Sequence, residues 1–89
     1  MNELQYTTQF KKDLKRIKNN PKRIADLKKV LKILEKTGAL PKEYLPHKLE
    51  GDFKGCMECH INNDLLLIWL DNKNNVIKLI RIGTHSELF

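Results

Sequence analysis

The chain has 89 residues, 40% hydrophobic and 31% charged, with three Pro and four Gly; this excludes disorder and allows one small domain with a modest core. The formal net charge is +6, and it belongs to one half: residues 1–50 carry 13 Lys/Arg against 6 Asp/Glu, residues 51–89 carry 4 against 5. A cationic first half points to a polyanionic partner, nucleic acid or the ribosome, although lysine-rich helices also serve solubility alone.

After a short extended start, LQYT, the residues Phe10, Leu14 and Ile17 recur at helical spacing among lysines. Asn20 and Pro21 supply a cap and a first-turn proline for a second helix reaching about Lys36. Its apolar stripe is Ile24, Leu27, Leu31 and Leu34, widened by Val30 and Ile33, and Gly38 is the expected C-cap. The clusters KKDLKR and KRIADLKK place positive charge on the outer helix faces. Neither helix reads as a base-reading element.

Residues 40–52 hold two prolines and a glycine and read as a linking loop. Strands are expected over 53–61, 65–70 and 76–82, with separators short enough for hairpins. The expected class is α+β, with two N-terminal helices packed on a mainly antiparallel four-stranded sheet. The extended N-terminal segment would supply the fourth strand, and residues 1–89 form a single domain. The longest apolar run, LLLIWL, is far too short to cross a bilayer, and the start of the chain lacks an apolar signal segment. A cytoplasmic location is expected.

Cys56 and Cys59 have CxxC spacing. Structural zinc would need two further ligands, and the redox motif needs a helix start where this chain reads as extended. The expectation is two reduced thiols, one of them packed inside.

The three histidines, His47, His60 and His85, all lie in the second half. In a meander the end of strand 53–61 and the end of strand 76–82 both flank the start of strand 65–70. His60, Asp64 and His85 therefore gather at one sheet edge; His47 joins them only if the loop folds back. Such a cluster suits metal binding, or acid–base chemistry on a phosphodiester. RNA brings its own nucleophile, the 2′-hydroxyl, so cleavage needs a base, an acid and a positive group such as Arg81, and no metal. Each residue also has a plain reading: His47 on the surface, His60 half-buried, His85 capping a turn, Asp64 in a hairpin, Arg81 in an ion pair, Phe89 in the core. Composition and spacing do not choose RNA over another substrate.

Two stretches carry more information: HKLEGDFKGCMECHINNDLLLIW from His47 and IRIGTHSELF from Ile80. Together they give an H-x-L-x-G start, a G-x-x-E-x-H-I strand, an acidic residue four beyond that His, and a GTHSxLF end. This combination resembles the YafQ branch of the RelE-like bacterial toxins. The resemblance implies a microbial RNase fold and a toxin of a type II toxin–antitoxin pair that cuts translated mRNA in the ribosomal A site. It implies catalytic roles for His47, His60, Asp64, Arg81 and His85, with His85 as general acid and Arg81 on phosphate. Phe89 would position the mRNA base, by stacking worth about 1–3 kcal/mol. The implied partners are a cognate antitoxin, the ribosome and mRNA, with operator DNA reached only through the antitoxin; no cofactor or metal is implied. The alternatives are a catalytically inactive binding module acting with an antitoxin, and a free-standing RNase.

Overall fold

The computed structural model describes residues 1–89. Its elements are β1 (Glu3–Tyr6), α1 (Thr8–Ile17), α2 (Pro21–Thr37), β2 (His47–Lys48), β3 (Met57–His60), β4 (Leu66–Asp71), β5 (Val76–Gly83) and α3 (His85–Leu88). The second helix begins at the cap the sequence places there, and the first at a cap, Thr7, that the sequence reading did not name. Thr7 Oγ1 accepts the Phe10 N–H, and Asn20 Oδ1 accepts the Arg23 N–H ahead of Pro21. Gly38, left-handed, closes α2.

The sheet has five strands in the order β1-β5-β4-β3-β2. β1 runs parallel to β5, and the other pairings are antiparallel. The strand beyond the expected four is β2, two residues within the stretch read as a loop, where His47 pairs with Glu58 and Lys48 with Met57. The strand expected over 53–61 shortens to Met57–His60 because Gly51–Phe53 wind one 3₁₀ turn. Gly55 then turns the chain at a φ of 92°, a conformation side chains rarely adopt.

The sheet divides the molecule. On one face Phe10 and Ile17 of α1 and Leu27, Val30 and Leu34 of α2 meet Cys59, Leu67, Trp69, Ile77, Leu79 and Ile82 in the main core. Trp69, 2% exposed, is a packing residue. On the other face the only buried hydrophobic residues are Leu66, Ile68 and Leu88, with Leu49, Phe53, Cys56 and Ile80 packed against them. Strand alternation explains the division on β3, where Met57 and Cys59 turn to the helices and Glu58 and His60 away. On β5 a bulge opposite the Ile68–Trp69 step breaks the alternation. Ile80 packs on the thin face, and Ile82 returns to the helix side.

The terminal GTHS segment, expected as a turn, is a helical turn with a complete capping box. Thr84 accepts from the Glu87 N–H, and Glu87 accepts from the Thr84 N–H. Gly83 permits its docking: a Cβ there would lie 3.0 Å from Glu87 Oε1 and 3.3 Å from Leu88 Cδ2. No helix is long and apolar enough to cross a membrane.

Candidate active site

Pairing of His60 with Leu66, and of Leu66 with Gly83, brings the end of β3 and the end of β5 to either side of the start of β4. There His60, Asn63, Asp64, Leu66, Thr84, His85 and Ser86 line one cleft of about 380 Å³. The three residues expected to gather at a sheet edge do so. His60 projects from β3, Asp64 from the β3–β4 turn, and His85 from the first residue of α3.

His47 also arrives, because the loop folds back as β2. Its ring centroid lies 6.2 Å from that of His60. Nδ1 lies 2.8 Å from the Leu45 carbonyl oxygen, and Nε2 lies 3.0 Å from Glu58 Oε1. A carbonyl oxygen only accepts, so Nδ1 carries a hydrogen; Nε2 then donates to the Glu58 carboxylate when the ring is protonated. Leu45 is held at a φ of 51°, unusual for a bulky residue, at the point where its carbonyl meets the ring.

Glu58 is the residue that spacing alone did not single out. It is 6% exposed, and its Oε2 has no hydrogen-bond partner. A carboxylate so placed is costly to bury without a cation beside it. The available signal was strand parity, which puts Glu58 and His60 on the same face of a strand whose other residues enter the core.

Phe89 is 58% exposed and does not plug the core. Its ring lies 5.1 Å from that of His85 and meets Phe53 edge-on at 5.8 Å. An aromatic face therefore stands open beside His85, held from behind by Phe53.

Arg81 is placed differently from the histidines. Its Nε donates to Asp13 Oδ2 at 2.7 Å and its Nη2 to Oδ1 at 3.2 Å. Asp13, 1% exposed on α1, also accepts from Arg16, Gln9 and the Ile82 N–H. Burial alone would raise the Asp13 carboxyl, but the bonds from Arg81, Ile82 and Gln9 outweigh it and hold the group below the ordinary carboxylate range. The hydrogen bond to Asp13 raises Arg81 in turn. Arg81 thus ties β5 to α1 rather than lining the histidine cleft. Asp64 is likewise committed, to Arg23 of α2 at 2.8 Å.

The two cysteines stand on opposite faces, Cys59 in the main core and Cys56 against the thin-face cluster. Both are free, and burial raises both thiols, Cys59 to about 12. No three His, Cys, Asp and Glu side chains converge so as to hold a metal ion.

The family model described as "Bacterial toxin of type II toxin-antitoxin system, YafQ" matches residues 2–89. The chain belongs to the YafQ family. The "mRNA interferase toxin YafQ" of Escherichia coli K12 is 34% identical over 89 residues, spanning 98% of this chain and 95% of the relative. The toxin in the E. coli DinJ–YafQ complex superposes with a TM-score of 0.84 at 30% identity, over 100% of this chain and 99% of that one. A metal-bound toxin from Helicobacter pylori superposes at 0.85 with 37% identity, over 100% of both chains. The architecture is accordingly that of the RelE-like toxins, with helices on a mainly antiparallel sheet.

Proposed function

We propose that this chain is an mRNA interferase toxin, an endoribonuclease that cuts translated mRNA in the ribosomal A site and so inhibits translation. The observation that carries this reading is the convergence of His60, Asp64 and His85, from three separate segments, on one cleft beside an exposed aromatic ring.

In the proposed reaction the substrate's 2′-hydroxyl loses its proton to His60 or Asp64 and attacks phosphorus. The 5′-oxygen leaves with a proton from His85, and the RNA product ends in a 2′,3′-cyclic phosphate. Atoms and charge balance with no metal in any step. His85 suits the acid role because it is exposed at the cleft rim; of the three histidines, only His47 is tied by hydrogen bonds. His47, held on Glu58 with its ring 6.2 Å from that of His60, would assist from beside the cleft. Arg81, which the resemblance puts on phosphate, stands on Asp13 outside the cleft lining, and only its Nη1 is left to reach the substrate. Phe89 offers a ring for a base to stack on.

The lysines of α1 and α2 fit ribosomal RNA, with an affinity that falls as salt rises. The partner that silences the toxin is a cognate antitoxin, a pairing supported by the E. coli DinJ–YafQ toxin–antitoxin complex, and operator DNA is reached only through that antitoxin. An acidic segment that folds on binding would complement the same basic surface. Both processes belong in the cytoplasm.

The test is primer-extension mapping of an mRNA in a purified translation system, with wild type beside His85→Ala. Cuts within the ribosome-bound codon that vanish in the variant support the reading. Equal cutting by both removes His85 as the essential acid. Absence of cutting by folded, antitoxin-free wild type favours a binding module instead.

A further inference from the structure

Next to the histidine cleft lies another, of about 430 Å³, whose lining has no hydrophobic side chain: Asn20, Lys22 and Arg23 on one wall, Asn62, Asn63 and Asp64 on the other. The walls are fixed to each other. Arg23 Nη2 donates to Asp64 Oδ2 at 2.8 Å, and Asn62 Nδ2 donates to Asp26 Oδ2 at 3.2 Å. Asn62 Oδ1 accepts the backbone N–H groups of Asp64 and Leu65, so the β3–β4 turn is locked against α2. Asn63 and Asp64 line both clefts, which therefore share a wall.

The chemistry of this second cleft is that of an anion site. It offers two cations and the side-chain amides of Asn20 and Asn63, with Asp64 as the one carboxylate in its lining and no apolar surface for a base. Arg23 commits only Nη2, leaving Nε and Nη1, and the Lys22 side chain is 82% exposed, 3.4 Å from Asp26.

We propose that this cleft is a second phosphate subsite, in which Arg23 and Lys22 take the RNA backbone phosphate adjacent to the scissile one, in exchange for Asp64. The proposal rests on reading the adjoining cleft as the cleavage site. In the free protein the Asp64 carboxylate occupies Arg23 as the anion that the phosphate replaces. The exchange keeps Arg23 neutralised and frees Asp64, which lines both clefts, to act beside His60 and His85. Only a polyanion with linked phosphates fills both clefts at once, so RNA itself completes the acid–base set. Lys22 and Arg23 thereby become positioning residues.

The experiment uses the full chain and ribosomes programmed with mRNA carrying one neutral methylphosphonate, on either the 5′ or the 3′ side of the scissile phosphate. Binding is read on a 2′-deoxy version that cannot be cut, and cleavage on the ordinary RNA. Wild type should lose roughly tenfold in affinity for one of the two substituted mRNAs, the size expected for a charge-assisted contact. Lys22→Ala/Arg23→Ala should bind ordinary mRNA roughly tenfold more weakly and lose nothing more on that substitution, while Arg23→Lys keeps most of the affinity. A double variant that binds like wild type, or that shows the full methylphosphonate loss, overturns the subsite. Coupling without cleavage by wild type sinks the catalytic reading and leaves the subsite standing. Cleavage lost with His85→Ala but no coupling at Arg23 does the reverse.

Discussion

Between the helices and the sheet, 13 buried hydrophobic residues form one cluster, whereas the opposite face buries 3 hydrophobic residues under α3 and the Phe53 turn. β3 belongs to both. Its Cys59 is fully buried in the main core; its Glu58 sits with an unpartnered oxygen, and its His60 lines an open cleft. One face is packed almost wholly by apolar side chains, its one buried charge, Asp13, being matched by Arg81. The other keeps polar groups that packing would reject, and an 89-residue chain has little stability to spare for such groups without a use for them. The contrast predicts that substitutions on the helix face act through stability and those on the cleft face through rate.

The sharpest break in the contrast would come from Leu67, fully buried on the helix face. Leu67→Ala should cost about 2–5 kcal/mol, seen as a fall in the urea midpoint. Next is Asp13→Asn, expected to cost about 2 kcal/mol by weakening the contacts of Arg81, Arg16 and Ile82. Its pH dependence has a defined sign. The folded pKa of Asp13 lies below its unfolded value, so its stabilisation is complete above about 3.9 and is lost as pH falls through the folded value. Wild type should therefore lose more stability than Asp13→Asn when urea titrations at pH 7 and pH 2.5 are compared.

Gly83→Ala tests the docking of α3, with an expected cost of about 1–2 kcal/mol and a larger relative loss of cleavage, because the helix that shifts carries His85. Glu58→Gln should change stability by less than about 1 kcal/mol while slowing cleavage; a large stability loss with an unchanged rate would reassign Glu58 to the fold. The smallest effect concerns the thiols. In the native protein Cys59, raised to about 12 by burial, should resist a thiol reagent that labels Cys56, as mass spectrometry of the adducts would read.

The helical half was legible because its signals are local. Asn20-Pro21 and Gly38 mark the ends of α2, and the stripe Ile24, Leu27, Leu31 and Leu34, widened by Val30 and Ile33, marks its inner face, of which Leu27, Val30 and Leu34 are the buried residues. The three antiparallel strands were legible from hairpin spacing, and with them the meeting of His60, Asp64 and His85. What stayed hidden depends on long-range pairing. β2 is two residues held only by their ladder to β3, and no local pattern specifies so short a strand. Asp13 reads as one more surface charge among lysines until α1 docks on β5, 68 residues away, and Arg81 reaches it. Arg23 likewise looks like part of a solvated helix until the β3–β4 turn brings Asp64 to it. GTHS read as a turn because its capping box completes only at Glu87.

The central claim is that the cleft-face histidines serve chemistry rather than the fold. The most direct measurement is the single-turnover cleavage rate on programmed ribosomes, taken with the melting temperature, for wild type, His60→Gln and His85→Gln. The account predicts rates lower by about 100-fold or more, the scale of general acid–base catalysis, at unchanged melting temperature. Wild-type rates in both variants, or losses that track a fall in melting temperature, would contradict it.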